Sequence, residues 1–289
     1  MARKSQQAEL QVGVPDRSSA TSEAGVALIR TRNHLRILPA LVPALVPVLA
    51  IVVLLGIWQA LSQGKVFNPI VLPAPSAIAR ALVDLVQQGY FWDNARVTAW
   101  ETVAGLAIGA GSGMILGTAI GLVRFFRRAF YPIVVGFQTL PRIALAPLFI
   151  VWFGFGLTPR IMFAATICFF PVTIAVILGL ETVDADAQAL LQSFGASRWQ
   201  SYRKLAFPSS LPVVFAGLKT AVTLSLIGAI VGEFVGGDQG LGVLIDTFNY
   251  QLSISYSFAV IFALAVFGVL TYGVIEVIDR KVVFWRRHG

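Results

Sequence analysis

The sequence predicts an all-α polytopic membrane protein with six transmembrane helices. Three observations carry this. Of 289 residues, 57% are apolar and 12% charged, against about 45–50% and about 25% in a soluble domain. The apolar residues fall in blocks long enough to cross a bilayer, which takes about 20 residues per helix. Lys and Arg are distributed very unequally between the segments that join those blocks. A spanning backbone must satisfy its own hydrogen bonds, as helices or as a closed barrel, and continuous rather than alternating blocks select helices.

Residues 1–35 are polar, lack hydrophobic periodicity and read as a disordered cytoplasmic tail; the apolar block after them starts too late and runs too long for a signal peptide. The hydrophobic region, 36–289, divides into spans at about Ile37–Leu61, Val97–Val123, Tyr131–Phe155, Ile161–Leu180, Val213–Phe234 and Phe258–Ile278. With the N-terminus inside, seventeen Lys and Arg lie on the cytoplasmic side. Four (Lys65, Arg80, Arg96 and Arg160) lie outside, and Arg142 falls within the third span. The positive-inside rule then puts both termini in the cytoplasm of a cytoplasmic (inner) membrane protein. It also accounts for the net charge of +8 without nucleic acid.

Between the first two spans, Leu72-Pro-Ala-Pro-Ser76 precedes apolar residues at helical spacing, which predicts an external amphipathic helix with Ser76 as its N-cap. The second span carries glycines at 105, 109, 113, 117 and 121. Such a face lets helices approach closely in lipid, either as static packing or as a sliding surface. In the third span, Gln138-Thr-Leu-Pro141-Arg142 and Pro147 predict a broken helix. Arg142 lies about 17–20 Å from the cytoplasmic end, so it needs a partner, as a pathway residue or as a cap on carbonyls at the break. Glu101 reads as interfacial and solvated. Glu233, just before the glycine-rich segment Gly236–Gly242, reads as a candidate functional residue.

The long cytoplasmic loop, 181–212, carries the most signal. Asp184 and Asp186 suit a helix N-terminus. Gly195 suits the left-handed position after a helix end. Ser197 with Gln200 forms a capping box that starts a second helix, and Pro208 is expected to end it. Helix, turn and helix make a compact hairpin suited to docking a partner.

This loop resembles the E-A-A-x-x-x-G-x(9)-I-x-L-P motif of importer permeases of the ATP-binding-cassette (ABC) superfamily. Gly195 aligns with the motif glycine and Leu205-Ala206-Phe207-Pro208 with its end. Ala189-Leu190-Leu191 stands where the family has E-A-A, so the family's glutamate is missing. Leu72–Ser76, Pro147–Gly156, Gly195–Gln200 and Gly240–Gly242 are similar to the nitrate/sulfonate/taurine branch. Gln138–Arg142 and Gly232–Gly236 resemble members assigned to thiamine or pyrimidine precursors.

The resemblance implies a type I ABC importer permease fold. It implies a permease homodimer, two ABC ATPase subunits on the cytoplasmic loops, and a soluble substrate-binding protein outside. Ala189, Gly195, Ala196, Ser197, Arg198, Trp199, Leu205, Phe207 and Pro208 would couple to the ATPase. Gln138, Pro141, Arg142 and Glu233 are candidates for the translocation path or its gate. The solute would be a small sulfonate-, nitrate- or taurine-like anion, or a pyrimidine or other aromatic heterocycle.

Other classes fit less well. No G-x-x-x-x-G-K-[ST] phosphate loop is present, so ATP hydrolysis belongs to a separate subunit. The two histidines, His34 and His288, sit near the ends, which argues against a histidine-based metal or proton-relay site. No catalytic residue or cofactor is expected. The single cysteine, Cys168, reads as a small packing residue. A self-contained secondary transporter or channel is the main alternative, although inverted repeats and several intramembrane charges are not evident. A membrane-embedded enzyme would need paired intramembrane carboxylates, and none are expected.

Overall fold

The computed structural model describes residues 38–64, 68 and 70–285; the tail 1–35 and His288 lie outside them. Every regular element among the described residues is helical. In chain order these are α1 (Leu38–Gln63), α2 (Pro75–Val86), α3 (Gly89–Leu122), α4 (Arg124–Gln138), a 3-10 turn (Arg142–Leu145), α5 (Ala146–Phe153) and α6 (Leu157–Glu181). There follow α7 (Ala185–Ser193), α8 (Arg198–Ser201), a π-helical turn (Tyr202–Ala206), α9 (Phe207–Gly236), α10 (Leu241–Tyr250) and α11 (Ile254–Val282). Two compact units are present, residues up to Leu61 and residues from Ser62. Of the described residues, the first holds α1 as far as Leu61 and the second holds the remainder.

Among the described residues, four helices are long and apolar enough to span: α3, α6, the continuous rod α8–α9, and α11. The pair α4 and α5, bent by 83°, would make a fifth. The expected third span, Tyr131–Phe155, is therefore not one rod. Two prolines explain the break: Pro141 follows the end of α4, and Pro147 sits in the first turn of α5, where its missing N–H costs nothing.

α3, α6 and α9 form the centre. The glycine face of α3 lies along α6: a Cβ at Gly105 would stand 2.6 Å from Ala164 Cβ, one at Gly113 2.8 Å from the Phe169 carbonyl, and one at Gly117 2.8 Å from that of Thr173. These neighbours are backbone or short side chains and cannot give way, so the stripe is close packing. Buried Cys168 sits under it, its Sγ 3.5 Å from Gly105 O. At one end of the bundle α2, α10 and α11 share a second core that includes Leu85, Leu244, Phe248 and Val260.

Three boundaries differ from expectation. α3 starts at Gly89 rather than near Val97. α2 is capped by Ala74 with Pro75 in its first turn, and Ser76 is already helical; proline's fixed φ starts the helix without a side-chain cap. Pro208 does not end a helix. The chain passes from α8 into α9, and immediately before the proline the Phe207 N–H donates to Tyr202 O, five residues back. The hydrogen-bond ladder is already offset where the proline's donor is missing, so the helix continues.

Candidate functional site

The hairpin of residues 184–207 is built from end signals. Asp184 Oδ1 accepts the N–H groups of Asp186 (2.8 Å) and Ala187 (3.1 Å), capping α7. At the other end the Gly195 N–H donates to Gln192 O and the Ala196 N–H to Leu191 O, with Gly195 at φ +77°. These two bonds and the left-handed glycine make a Schellman motif. The Ser197 N–H then donates to Gln200 Oε1 (2.8 Å) and the Gln200 N–H to Ser197 Oγ (3.3 Å), completing the capping box that opens α8 with Arg198.

Behind it Trp199 packs on Tyr202 (5.4 Å between centroids) and Tyr202 on Phe207 (5.8 Å). Leu205 lies in the π-helical turn, and Ala189 on α7 accepts the Ser193 hydroxyl. Phe194 and Trp199 are 81% and 64% exposed. No residue of α7 is buried. The hairpin is thus rigid by local bonding while presenting apolar rings outward.

At the bend, Arg142 Nη2 donates to Gln138 O (3.0 Å) and Nη1 to Ile167 O (2.9 Å), with the guanidinium over the Phe170 ring at 5.5 Å. The reason lies four residues beyond each acceptor. Gln138 ends α4, so its carbonyl has no helical donor, and Ile167 precedes Pro171, which has no N–H to give. Arg142 satisfies two carbonyls that two breaks leave open, and so ties the bend to α6. Of the candidate path residues, the structure brings Gln138, Pro141 and Arg142 together here; Glu233 lies elsewhere.

Glu233 belongs to a buried ionic node at the end of the bundle where α9 meets α10. Thr98 Oγ1 on α3 donates to its Oε1 (2.6 Å), and the Gly242 N–H of α10 donates to Oε2. Thr98 Oγ1 in turn accepts the Leu241 N–H (2.8 Å), and Asn94 Oδ1 accepts that of Gly240 (2.6 Å). Beside it, Arg160 Nη1 on α6 pairs with Glu101 Oε1 on α3 at 2.8 Å, both side chains essentially unexposed. Arg160 also donates to Gly156 O (2.9 Å), Gln239 O (2.7 Å) and Asp238 Oδ1 (2.9 Å).

Glu101 is therefore not a solvated interfacial residue, and Arg160 is not a loop charge. Glu101 and Glu233 bring two buried carboxylates into one node, a pairing that was not expected. Asn94, Thr98, Glu101 and Arg160 were missed as partners of Glu233. The signal was there, since two acids and one base stand near the same outer ends of three spans, and ionisable groups in spans find partners.

On the opposite side of the bundle Lys219, counted with the cytoplasmic charges, is part-buried between α9 and α11 on Glu276 and Asp279.

Residues 109–284 match the family model of the binding-protein-dependent transport system inner membrane component. The chain belongs to this family. Over 238 residues the permease is 34% identical to the formylaminopyrimidine transport permease protein ThiX of Halalkalibacterium halodurans, covering 81% of this chain and 93% of that one. It is 29% identical to the putative aliphatic sulfonates transport permease protein SsuC of Bacillus subtilis, covering 81% and 85%. Its fold is similar to that of a chain of the inward-facing MetNI methionine ABC transporter, at 20% identity and TM-score 0.59, over 68% of this chain and 99% of that one.

The permease is accordingly the inner-membrane transport subunit of an ABC importer, without catalytic activity of its own. The self-contained transporter, channel and enzyme readings fall. The carboxylate pair is a structural node of a transport subunit and not a catalytic dyad.

Proposed function

We propose that two copies of the permease form the pathway for a small aromatic heterocycle, with both termini in the cytoplasm and six spans counting α1. An ABC ATPase docks on each hairpin, and a soluble binding protein docks outside. One observation carries the docking assignment: both ends of α7 and the start of α8 are closed by local caps, yet the turn between them holds Phe194 and Trp199 in the open. A loop that only joined two spans would need neither. Gly195, Ala196, Ser197, Arg198 and Trp199 form its turn and leading edge. Ala189, Leu205, Phe207 and Pro208 support it and pass its movement into α9.

Pro141, Arg142 and Gln138 shape the wall of the path at the bend, and Glu233 acts at the outer gate, where it holds the Gly236–Gly242 loop. The heterocycle is favoured by the relative at 34% identity that carries formylaminopyrimidine. An anion is the second reading, favoured by the sulfonate relative.

The experiment is reconstitution of the permease with an ATPase and a binding protein encoded beside it. ATP-dependent uptake of whichever ligand that binding protein holds, pyrimidine or sulfonate, decides between the two. No association with an ATPase would end the proposal. Reporter fusions after residues 65, 127, 157, 200 and 245 test the topology; a cytoplasmic signal at 245 would reverse it.

A further inference from the structure

We propose that the node of Glu101, Arg160 and Glu233 is a proton-binding site, in which the two carboxyl groups share one proton that helps hold the Gly236–Gly242 loop. All three side chains are at most 2% exposed. The two carboxyl groups lie within hydrogen-bond reach of each other. An ionised carboxylate only accepts hydrogen bonds, so two of them in contact have no donor between them. One proton supplies that donor, and it removes the repulsion of two like charges held together away from water.

The neighbouring groups do not supply the missing hydrogen. Arg160 Nη1 stands 2.8 Å from Glu101 Oε1 as an ion pair, yet the hydrogen bonds of the guanidinium go to Gly156 O, Gln239 O and Asp238 Oδ1. Neither oxygen of Glu101 accepts a hydrogen bond among the described residues. Glu233, by contrast, receives Thr98 Oγ1 on one oxygen and the Gly242 N–H on the other. Buried polar atoms are hydrogen-bonded as a rule, and a proton held by the pair gives Glu101 its bond to the acid beside it.

The charge count agrees. One guanidinium faces two carboxyl groups, and a shared proton leaves one negative charge against one positive. The other charged residues of the surrounding elements do not change this. Asp238 reaches Arg160 from the loop, but its side chain is 79% exposed. Asp93 and Arg96 of α3 pair with each other at the surface. Asp246 of α10 is not among the hydrogen-bond partners of the node. A metal cation would be the other way to balance the charge. The backbone of Gly240 and Gly242 closes so tightly over Glu233 that a Cβ at either would collide with its side chain. No group of three His, Cys, Asp or Glu side chains able to hold a metal ion occurs among the described residues.

The test is infrared spectroscopy of the full-length permease in detergent at neutral pH, in H2O and after prolonged exchange into D2O. The wild type should show a protonated-carboxyl band that deuterium shifts. Glu101→Gln and Glu233→Gln should each abolish it, because either amide brings its own N–H donor and leaves one carboxylate to balance Arg160. Both single variants should unfold thermally close to wild type. Glu101→Gln/Glu233→Gln leaves Arg160 buried without a carboxylate beside it and should unfold at a clearly lower temperature. Asp238→Asn should keep the band.

A wild type without the band overturns the proposal, and that measurement needs no variant to fold. So does a band that both single variants keep, or one that only one of them removes, which would put the proton on a single acid. Unfolding that depends on added Na+ or K+ would make the occupant a metal cation and overturns it too. None of these readouts involves a transported solute or an ATPase, so their failure is separable from failure of the proposed function.

Discussion

At the outer end of the bundle, hydrogen bonds and ion pairs join residues far apart in the chain: Thr98 to Glu233 across 135 positions and Arg160 to Asp238 across 78. At the other end, the caps of the hairpin join residues two or three apart. One end is fastened by tertiary contacts between α3, α6, α9 and α10. The other is a self-sufficient local unit on the end of a helix. The difference implies that damage at the outer node spreads through the fold, whereas damage at the hairpin stays where it is made.

The largest effect should come from Arg160→Met. It leaves the Glu101 carboxylate buried with its cation gone, which typically costs about 3–5 kcal/mol. Thermal unfolding in detergent should show a large loss, and Arg160→Met/Glu101→Leu should recover much of it. A single variant as stable as wild type would show that the node does not hold the outer end.

Two of the positive-φ glycines, Gly240 and Gly195, make the sharpest pair. At Gly240 (φ +131°) a Cβ would fall on the Glu233 carboxylate, so Gly240→Ala adds a clash to backbone strain and should cost more than about 2 kcal/mol. Unfolding measurements would register it globally.

Arg142→Met, at the bend between the ends, should fall next, at about 2 kcal/mol for two unsatisfied carbonyls. Pro171→Ala gives Ile167 O a helical donor again, so Arg142→Met should cost less in that background. Equal costs would detach Arg142 from the proline break.

Gly195→Ala is the smallest. Nothing lies within 4 Å of its Cβ position, and φ is +77°, so only left-handed strain of about 1–2 kcal/mol applies. The melting temperature should hold while hydrogen exchange in 191–200 rises and ATPase coupling falls. Global destabilisation equal to that of Gly240→Ala would erase the contrast.

The same difference decides what could be read in advance. The hairpin was legible because capping is written in neighbouring letters: Asp184, Gly195, Ser197 and Gln200 each do what the sequence predicts. The glycine face of α3 was legible too, since its four-residue spacing needs no knowledge of the partner, although only the fold shows that α6 fills it. Glu101 was misread because its partner, Arg160, stands 59 positions away on another helix, and a residue near a span's end looks solvated until a loop closes over it. Pro208 was misread for a local reason. The rule that proline stops a helix assumes an undisturbed ladder, and the turn before it had already slipped by one residue.

That slipped turn has a mechanical meaning. Because the chain does not break at Pro208, Arg198–Gly236 is one rod of 39 residues, about 58 Å long. The hairpin's second helix is one tip of it, and the carboxylate that holds the outer loop sits near the other. A rod of that length pivoting about its centre by about 5° carries its two tips roughly 2.5 Å in opposite directions. On the function proposed above, a push received at the hairpin would arrive at the far end of the rod as a displacement about as large as the bonds that clasp Glu233, with no relay of side chains needed between.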